Sequence, residues 1–506
     1  EEPSLVWDAA IETFLMAFAG TALGVILAIP VSIAAASNMV RNPLVRGAAR
    51  GIIVVTRALP ELVLALIFVR VYSIGVLPGV VAIGLHSVGM LGKLFADSIE
   101  QIDPGPREGV AATGSGRVQE FVTGVWPQVV PSFIAITLYR LDINFRASTL
   151  LGLVGAGGIG LQIRAHQGSL DYPQLLGVTL VIIALILLVE LISTSVRGVI
   201  LGHQRSKGSS LDKWLRRTPD AASFRPEPAP AAASNRGAEG SGAADDRPLR
   251  PPWTRDRITM TAFAAASGVL LVLSFIIPDM SIVEFVRGLP QIPITFWKLV
   301  PTSLDWWQAQ WATDLLETVA MGFAATGLAL FFALPTAVLA AGNVAPARWV
   351  YQLSRLFILL VRATPELIVA VIFVAALGLG PRPGVLALAI GIYGFGTKLF
   401  ADGLEEIAEG PRDGVRASGA SRLQELVTSV LPQAMPSIVG NSLYMLDVSI
   451  RASTVLGIVG AGGIGFALLQ GMKLLRFELV GGLLICVFLI VYAIELLAVW
   501  IRRRLL

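Results

Sequence analysis

The stretch RASTLLGLVGAGGIG at Arg146–Gly160 occurs a second time as RASTVLGIVGAGGIG at Arg451–Gly465, with 13 of 15 positions identical. The two stretches are 305 residues apart, and the same displacement relates TRALPEL at Thr56–Leu62 to VRATPEL at Val361–Leu367. Composition alone does not produce identities that keep one register over such a distance. The chain therefore contains two copies of one unit, and the copies run in the same order.

The composition indicates that these repeats lie in a membrane. Of the 506 residues, 55% are hydrophobic and 15% are charged, whereas a soluble domain carries about 25% charged residues. The formal net charge is only +4, which gives no reason to expect a nucleic-acid partner. With three histidines and one cysteine the chain has too few ligands for a zinc or iron–sulfur site, so we expect no metal site.

Each repeat contains five apolar runs that are long enough to cross a bilayer core, which takes about 20 residues. In the first repeat, residues 1–203, they lie near 9–36, 49–73, 78–98, 128–150 and 173–200. In the second repeat, residues 253–506, they lie near 314–341, 354–378, 383–403, 433–455 and 478–502, after an extra run near 257–277. The sequence predicts an all-α integral membrane protein with two parallel repeats and about 11 transmembrane helices in total.

The segment between the repeats, residues 204–252, is rich in Ala, Pro, Ser, Gly and charged residues and has no apolar periodicity. This composition is typical of a flexible linker, and we expect a protease to cleave it without loss of function. The chain has no initiator methionine. We therefore expect that it begins inside a longer gene product. Two arrangements stay open: a sixth span upstream with a cytoplasmic start, or a mature start near Glu1 on the outer side.

Lysine and arginine are concentrated in four places, which are Asn38–Arg50, Gly342–Arg355, the linker and the terminal IRRRLL. All four fall on one side of the membrane if the spans alternate. Short cytoplasmic loops carry an excess of Lys and Arg, so that side is the cytoplasm. The connections between the third and fourth spans, about 98–127 and 403–432, then also face the cytoplasm.

These two cytoplasmic connections share one pattern: a Gly-Pro-Arg start, an acid, a glycine six residues later and a proline thirteen residues beyond the glycine. The positions are filled by Glu108, Gly114 and Pro127, and by Asp413, Gly419 and Pro432. We predict a short helix with the acid in its first turn, a glycine with positive φ, and a second short helix across the membrane surface. The proline then begins the next span. The alternative is a solvated loop with capping residues.

This acid–glycine–proline spacing resembles the EAA loop of permease subunits in binding-protein-dependent ABC importers, although Asp413 replaces the glutamate in the second copy. The RAST and GAGGIG stretches resemble the segment after the fourth span in phosphonate-uptake permeases. The resemblance implies a five-helix importer-permease core in each repeat, so that one fused chain supplies the permease pair in the cell membrane. The ATPase-coupling residues it implies are Arg107, Glu108, Gly114, Arg412, Asp413 and Gly419.

The resemblance also implies partners. They are a pair of cytoplasmic ATPase subunits, an extracytoplasmic phosphonate-binding protein and the surrounding membrane lipid. The sequence contains no G-x-x-x-x-G-K-[ST] motif, so we expect the chain to be a transport subunit and not an enzyme. ATP and magnesium are then expected in the partner ATPase, with no cofactor and no catalytic residue in this chain.

Ionisable residues inside spans are costly, so they are candidates for function. Arginine can bind a tetrahedral oxyanion through two hydrogen bonds, and neighbouring hydroxyls add neutral donors. The predicted substrate-pathway residues, in the fourth span of each repeat, are Arg146, Ser148, Thr149, Arg451, Ser453 and Thr454. Arg140, Asp142 and Asp447 in the same spans are pathway candidates as well, and the alternative is Arg–Asp packing between spans. Glu190 and Glu495 in the last spans are assigned to bundle packing.

Two Arg–Glu pairs stand four residues apart in the second spans, Arg57 with Glu61 and Arg362 with Glu366. Residues at this spacing lie on one face of a helix, so a structural ion pair is favoured over a pathway role.

The glycines of the GAGGIG stretches are predicted to form tight turns where the fourth and fifth spans meet near the outer mouth, as a gate. They are Gly155, Gly157, Gly158, Gly460, Gly462 and Gly463. A dinucleotide loop is excluded because no strand–helix–strand unit surrounds them. The histidines His86, His166 and His203 have no partners at ligand spacing, and no role is assigned to them.

Taken with the resemblance, the sequence favours the transmembrane permease of an ATP-driven importer that moves phosphonate-like oxyanions, such as phosphonate, phosphite or phosphate, into the cytoplasm. The alternative is a secondary anion transporter, which is also built from repeats but does not need the doubled cytoplasmic segment. An intramembrane enzyme is disfavoured, because no nucleophile–base pair or carboxylate dyad recurs in the two copies.

Overall fold

The computed structural model describes residues 3–169, 171–200, 255–278 and 280–505. The predicted linker, residues 204–252, lies outside the described residues. All regular secondary structure in these described ranges is helical. The helices of the first repeat are α1 (Pro3–Ala35), α2 (Pro43–Ala58), α3 (Glu61–Tyr72), α4 (Val76–Glu100), α5 (Pro104–Ala112), α6 (Arg117–Gln119), α7 (Trp126–Leu151), α8 (Ile159–Gly168) and α9 (Tyr172–Ile200).

Three helices precede the repeated core in the second part of the chain: α10 (Arg255–Ile276), α11 (Ile282–Gly288) and α12 (Gln291–Lys298). The core of the second repeat then follows the same order as the first. Its helices are α13 (Ala309–Ala340), α14 (Arg348–Ala363), α15 (Glu366–Leu377), α16 (Pro381–Glu405), α17 (Glu409–Ala417), α18 (Arg422–Glu425), α19 (Leu431–Leu456), α20 (Gly465–Lys473) and α21 (Phe477–Leu505).

The predicted spans of the two cores correspond to helices of suitable length and composition. In the described residues, 8 helices are long and apolar enough to cross a membrane, or up to 10 if each of two bent pairs is one span. The extra predicted span near 257–277 corresponds to α10. Its apolar part, Thr261–Ile276, is shorter than the other spans.

The second predicted span of each repeat is not one straight helix. α2 and α3 meet at an angle of 92°, and α14 and α15 meet at 77°. The breaks fall at Pro60 and Pro365, because proline disfavours helical geometry in the residue before it. Leu59 is accordingly extended, with φ −79° and ψ 122°, and Thr364 with φ −85° and ψ 117°.

The second short helix that the sequence predicts in each cytoplasmic connection is not a separate element. α6 continues through a π-helical turn, Glu120–Val125, directly into α7, and the second repeat does the same through Leu426–Val430. The segment after the glycine turn is therefore continuous with the fourth span in both repeats. Pro127 lies in the first turn of α7, as predicted, where its missing N–H costs little.

The helices before the second core pack against the first repeat. α10 contacts α1 and α9, and both α11 and α12 contact α3. The hydroxyl of Tyr72 donates to the carbonyl of Phe285 at 3.3 Å, and the two rings stack with centroids 6.3 Å apart. The sequence segment assigned to the second repeat therefore reaches across to cover the first.

The apolar core joins the repeats at one end of the molecule only. One cluster of buried side chains contains residues of both repeats, including Phe68, Phe145, Leu367 and Leu456. At the end where the cytoplasmic connections lie, the clusters of the two repeats are separate: two belong to the first repeat, around Phe95 and around Ile53, and one belongs to the second, around Phe400. The two repeats thus share a core near the GAGGIG turns and have separate cores near the cytoplasmic connections.

Candidate functional site

Each cytoplasmic connection begins with a nine-residue helix, α5 or α17, which we call the coupling helix. The side chain of Asp103 caps α5 by accepting a hydrogen bond of 2.9 Å from the backbone N–H of Gly105. Glu108 and Asp413 are exposed. The prediction that these acids lie in the first helical turn is wrong, because each coupling helix begins four residues earlier. Both carboxylates are therefore displayed on the outer surface of the helix.

The arginine beside each of these acids is held against the rest of its repeat. Arg107 forms an ion pair through Nε with Glu120 and donates through Nη1 to the carbonyl of Asn38 at 2.8 Å. Arg412 makes the equivalent ion pair with Glu425 and donates to the carbonyl of the equivalent asparagine. We call this arrangement the coupling clamp. It ties the coupling helix both to the π-helical turn that leads into the fourth span and to the first cytoplasmic loop.

The first cytoplasmic loop and the coupling helix lie at the same end of each repeat, as the distribution of basic residues predicts. Besides the clamp, the backbone N–H of Ser37 donates to Glu100 at 2.6 Å, and the amide of Asn38 donates to the carbonyl of Ile99 at 2.6 Å. The second repeat has the same two contacts, from Gly342 to Glu405 at 2.6 Å and from the asparagine amide to a carbonyl at 2.7 Å.

The glycines after the coupling helices have the backbone conformation that the sequence predicts. Gly114 and Gly419 both have φ +79°. No atom outside their immediate neighbours lies within 4 Å of a Cβ built on either residue. Glycine is required at this turn by backbone conformation and not by close packing.

The GAGGIG stretches form tight turns after the fourth span, as predicted, but each turn leads into a short helix, α8 or α20, and not directly into the fifth span. All six predicted glycines have φ between +70° and +99°. In the first repeat, the N–H of Gly158 donates to Glu12 at 3.3 Å and the N–H of Ile159 donates to Thr13 at 2.8 Å. The equivalent bonds in the second repeat are 3.0 Å and 2.9 Å long. These bonds fix the turns to the first span of the same repeat, and their gate role stays a prediction.

The predicted pathway arginines each pair with an aspartate four residues earlier on the same helix. Arg146 donates through Nη2 to Asp142 at 2.5 Å, and Arg451 pairs with Asp447 in the same way. The alternative prediction is Arg–Asp packing between spans, whereas each of these two pairs lies within one span. Arg146 also donates through Nη1 to the carbonyl of Arg362 at 3.3 Å, so it bridges the two repeats.

The hydroxyls that follow these arginines are buried and donate to backbone carbonyls. Ser148 donates to the carbonyls of Thr13 and Phe145, and Thr149 donates to that of Arg146. The corresponding serine and threonine of the second repeat make the same bonds. The two serine hydroxyls therefore fasten the fourth span to the first span of the same repeat, whereas the threonine hydroxyls bond within their own helix. The pathway role of these residues stays a prediction.

The two Arg–Glu pairs predicted on one helix face are not ion pairs in the described structure, because the proline bend lies between the two members. Arg362 instead lies 3.7 Å from Glu190 of the first repeat. Arg57 lines a small cavity together with Glu495 and Arg451 of the second repeat. Sequence spacing could not reveal these partners, since each belongs to the other repeat.

One buried polar cluster in the first repeat has no equivalent in the second. Arg140 is 4% exposed and donates through Nε to Ser87 at 3.0 Å, and Asn144 donates to the same hydroxyl at 3.0 Å. The Nη2 atom of Arg140 has no hydrogen-bond partner among the described residues. The equivalent positions of arginine and serine in the second repeat are Met445 and Ile392.

His86 belongs to this region as well. Its Nδ1 lies 3.1 Å from the carbonyl of Leu59, and its Nε2 lies 4.0 Å from Glu61. The structure thus places the imidazole of His86, to which the sequence assigns no role, near the carboxylate of Glu61, for which the sequence predicts Arg57 as the partner. Within the described ranges, no group of three or more His, Cys, Asp or Glu side chains is placed to hold a metal ion.

A duplicated core of apolar helices, with the same clamped short helix in each half, defines a two-repeat integral membrane protein. The family described as "Binding-protein-dependent transport system inner membrane component" matches residues 28–201 and 333–506. The chain belongs to this family, and it contains the family domain twice. It is therefore a multi-pass protein of the cell membrane.

Two relatives carry informative descriptions. The phosphate-import permease protein PhnE of Mycolicibacterium smegmatis is 43% identical over 509 residues, which covers 100% of this chain and 86% of the relative. The phosphite transport system permease protein PtxC of Stutzerimonas stutzeri is 43% identical over 193 residues, which covers 38% of this chain and 69% of the relative. Among solved structures, an inward-facing MetNI methionine ABC transporter matches 39% of this chain and 96% of its own, with 23% identity and a TM-score of 0.36.

Proposed function

We propose that this chain supplies both permeases of an ATP-driven importer that moves phosphonate-like oxyanions into the cytoplasm. The class of substrate is supported by the relatives, which are described as phosphate-import and phosphite-transport permeases. The full-length relative aligns with the whole of this chain, which supports the fused arrangement of two permeases.

The observation that carries ATP coupling is the coupling clamp in both repeats. An exposed acid, Glu108 or Asp413, stands next to an arginine that is tied to the fourth span. A force applied to the exposed face of the coupling helix is therefore passed toward the base of the fourth span by the Arg–Glu ion pair of each repeat. A secondary transporter has no need for such a device. The motor is a separate pair of cytoplasmic ATPase subunits that bind ATP and magnesium, and a separate extracytoplasmic binding protein delivers the anion.

The test is uptake by proteoliposomes that contain this chain, with and without its partner ATPase and binding protein. Phosphite, inorganic phosphate and methylphosphonate serve as probes. We expect uptake of at least one probe only when the ATPase, the binding protein and ATP are all present. Accumulation by the chain alone under an ion gradient would establish the secondary-transporter alternative instead.

The same uptake assay is repeated with variants of the coupling residues. Replacement of both exposed acids, by Glu108→Ala and Asp413→Ala, should reduce ATP-dependent uptake, because a contact with the ATPase is lost. A matched control is the exposed acid Glu409, one turn earlier on the second coupling helix. If Glu409→Ala reduces uptake as strongly as Asp413→Ala, the assignment to that specific position is wrong.

A further inference from the structure

A cavity of about 850 Å³ lies between the two repeats at the end opposite the coupling helices. The first repeat lines it with the end of α3, the turn before α4, the turn after α7 and one residue of α8. The second repeat lines it with the matching turns and with α20. α4 runs 25 residues from this cavity to the cytoplasmic connection, or about 37 Å at 1.5 Å per residue. The cavity therefore faces the extracytoplasmic side.

The charged residues that line this cavity are all cations. They are Arg70, Arg164 and Lys473, and the lining contains no aspartate or glutamate. All three side chains are exposed. Arg70 is fixed in place by a bond of 3.2 Å from its Nη2 to the carbonyl of Met472 in the other repeat. In the described part of the chain, no ion pair neutralises any of the three.

These cations are not part of the duplicated framework. The residue equivalent to Arg70 is Ala375, and the residue equivalent to Arg164 is Leu469. Lys473 corresponds to a glycine at position 168. The apolar lining, in contrast, is matched between the repeats, as in Ile74 with Leu379 and Leu153 with Ile458. The repeat unit carries an uncharged residue at each of these places, so packing of the fold does not require the charges.

Three unpaired cations on apolar walls create a positive potential that attracts small anions. Such focusing raises association rates by about 10- to 1,000-fold and weakens steeply with ionic strength. Guanidinium groups also bind tetrahedral oxyanions through two hydrogen bonds at once. The volume lies within the range of small-molecule sites, which is about 300–1,000 Å³. It therefore accommodates a small oxyanion together with part of its hydration shell.

We infer that this cavity is an anion-binding vestibule, in which Arg70, Arg164 and Lys473 hold a tetrahedral oxyanion before it crosses the membrane. This inference rests on the proposed function for its choice of substrate. Gly460, one of the predicted gate glycines, lines the same cavity. The vestibule thus holds the anion next to the turn that we predict to open.

The test replaces each cation by the residue that the other repeat carries at the same place: Arg70→Ala, Arg164→Leu and Lys473→Gly. A matched control is Arg476→Ala, since Arg476 is exposed and lines a neighbouring cavity together with Asp314 and Glu317. Binding of inorganic phosphate and of phosphite to the purified full chain is measured by phosphorus NMR line broadening, at low and high salt. We expect the triple variant to bind about tenfold more weakly at low salt or worse, with a flatter salt dependence.

Two outcomes overturn the inference. One is that the triple variant binds both anions as wild type does, and the other is that the control loses as much affinity as the triple variant. The far-ultraviolet circular dichroism and the thermal midpoint of each variant show whether it is folded. If the triple variant fails to fold, the single Arg164→Leu exchange is decisive in its place. ATP-dependent uptake by wild type is scored separately, so failure of the proposed transport function is distinguished from failure of the vestibule.

Discussion

The turn after each coupling helix permits a prediction with a magnitude. Gly114 and Gly419 have φ +79°, and a Cβ on either one meets no neighbouring atom within 4 Å. The cost of a side chain there is therefore conformational. It is about 1–2 kcal/mol per residue for alanine in the left-handed region, and valine is worse because it is β-branched.

A cost of this size is large compared with the stability of a short surface helix. It corresponds to a change of about 5- to 30-fold in the population of the native turn. The coupling helix then leaves the position that the clamp defines. We expect Gly114→Val and Gly419→Val to insert in the membrane and to pair their repeats normally, but to lose about fivefold or more of the ATPase stimulation by substrate.

The same helices supply a control for this prediction. Gly109 and Gly414 lie inside the coupling helices, and a Cβ on either one also meets no neighbouring atom within 4 Å. Alanine at a helix interior is favoured over glycine by about 0.5–1 kcal/mol. Gly109→Ala and Gly414→Ala should therefore keep full stimulation. The measurement is substrate-stimulated ATP hydrolysis by the reconstituted complex, and normal stimulation in both valine variants would refute the reasoning.

Three further predictions concern the contacts that the structure adds. Arg412→Lys keeps the charge of the coupling clamp but cannot bond through two nitrogens at once, so amide hydrogen exchange in α17 should lose about 1–3 kcal/mol of protection; unchanged exchange would contradict the clamp. Gly463→Ala places a Cβ 2.6 Å from the Thr318 hydroxyl at φ +73°, so the thermal midpoint should fall, by about 2 kcal/mol of stability or more. Gly177→Ala, at an open helix position, should leave the midpoint unchanged, and equal midpoints for the two variants would count against this account. The double-mutant cycle of Arg362→Met with Glu190→Leu should show a coupling energy of about 0.5–3 kcal/mol in thermal or denaturant unfolding, and additivity would mean that this pair does not join the repeats.

The duplicated architecture was accessible from the sequence because it depends on local signals. Apolar runs predict spans by length, and a 305-residue displacement relates the two copies without any knowledge of their packing. The positive φ of Gly114 and Gly155 follows from the same logic, because a glycine between helical segments commonly marks a turn that other residues avoid.

The sequence prediction treats each second span as one straight helix, although the cause of its bend is local. Pro60 and Pro365 stand inside long apolar runs, and the length of such a run does not reveal the break that proline imposes. The predicted ion pair of Arg57 with Glu61 is wrong for the same reason, because the two residues do not share a helix face once the chain bends by 92°.

The remaining differences arise from tertiary structure. The ion pair of Arg362 with Glu190 and the bond from Arg146 to the carbonyl of Arg362 join residues of different repeats. No spacing within one repeat encodes such partners. The cations of the vestibule could have been noticed as departures from the repeat, because Arg70 and Arg164 stand where the second copy has alanine and leucine. Only the structure shows that they line one cavity.

The most direct test of the central claim, that both coupling helices meet a separate ATPase, is site-specific cross-linking in the reconstituted complex. A chain with Cys486→Ser receives one new cysteine, by Glu108→Cys, by Asp413→Cys or, as a control at the opposite end, by Ile74→Cys. A maleimide that carries a benzophenone attaches to the new cysteine and, on illumination, inserts into a C–H bond of a neighbouring protein. It should join the first two variants to the ATPase, with a cross-linking yield that changes when ATP is added, while the third gives no product with the ATPase. Absence of cross-linking at both coupling helices, in a complex that transports the anion, would contradict the account.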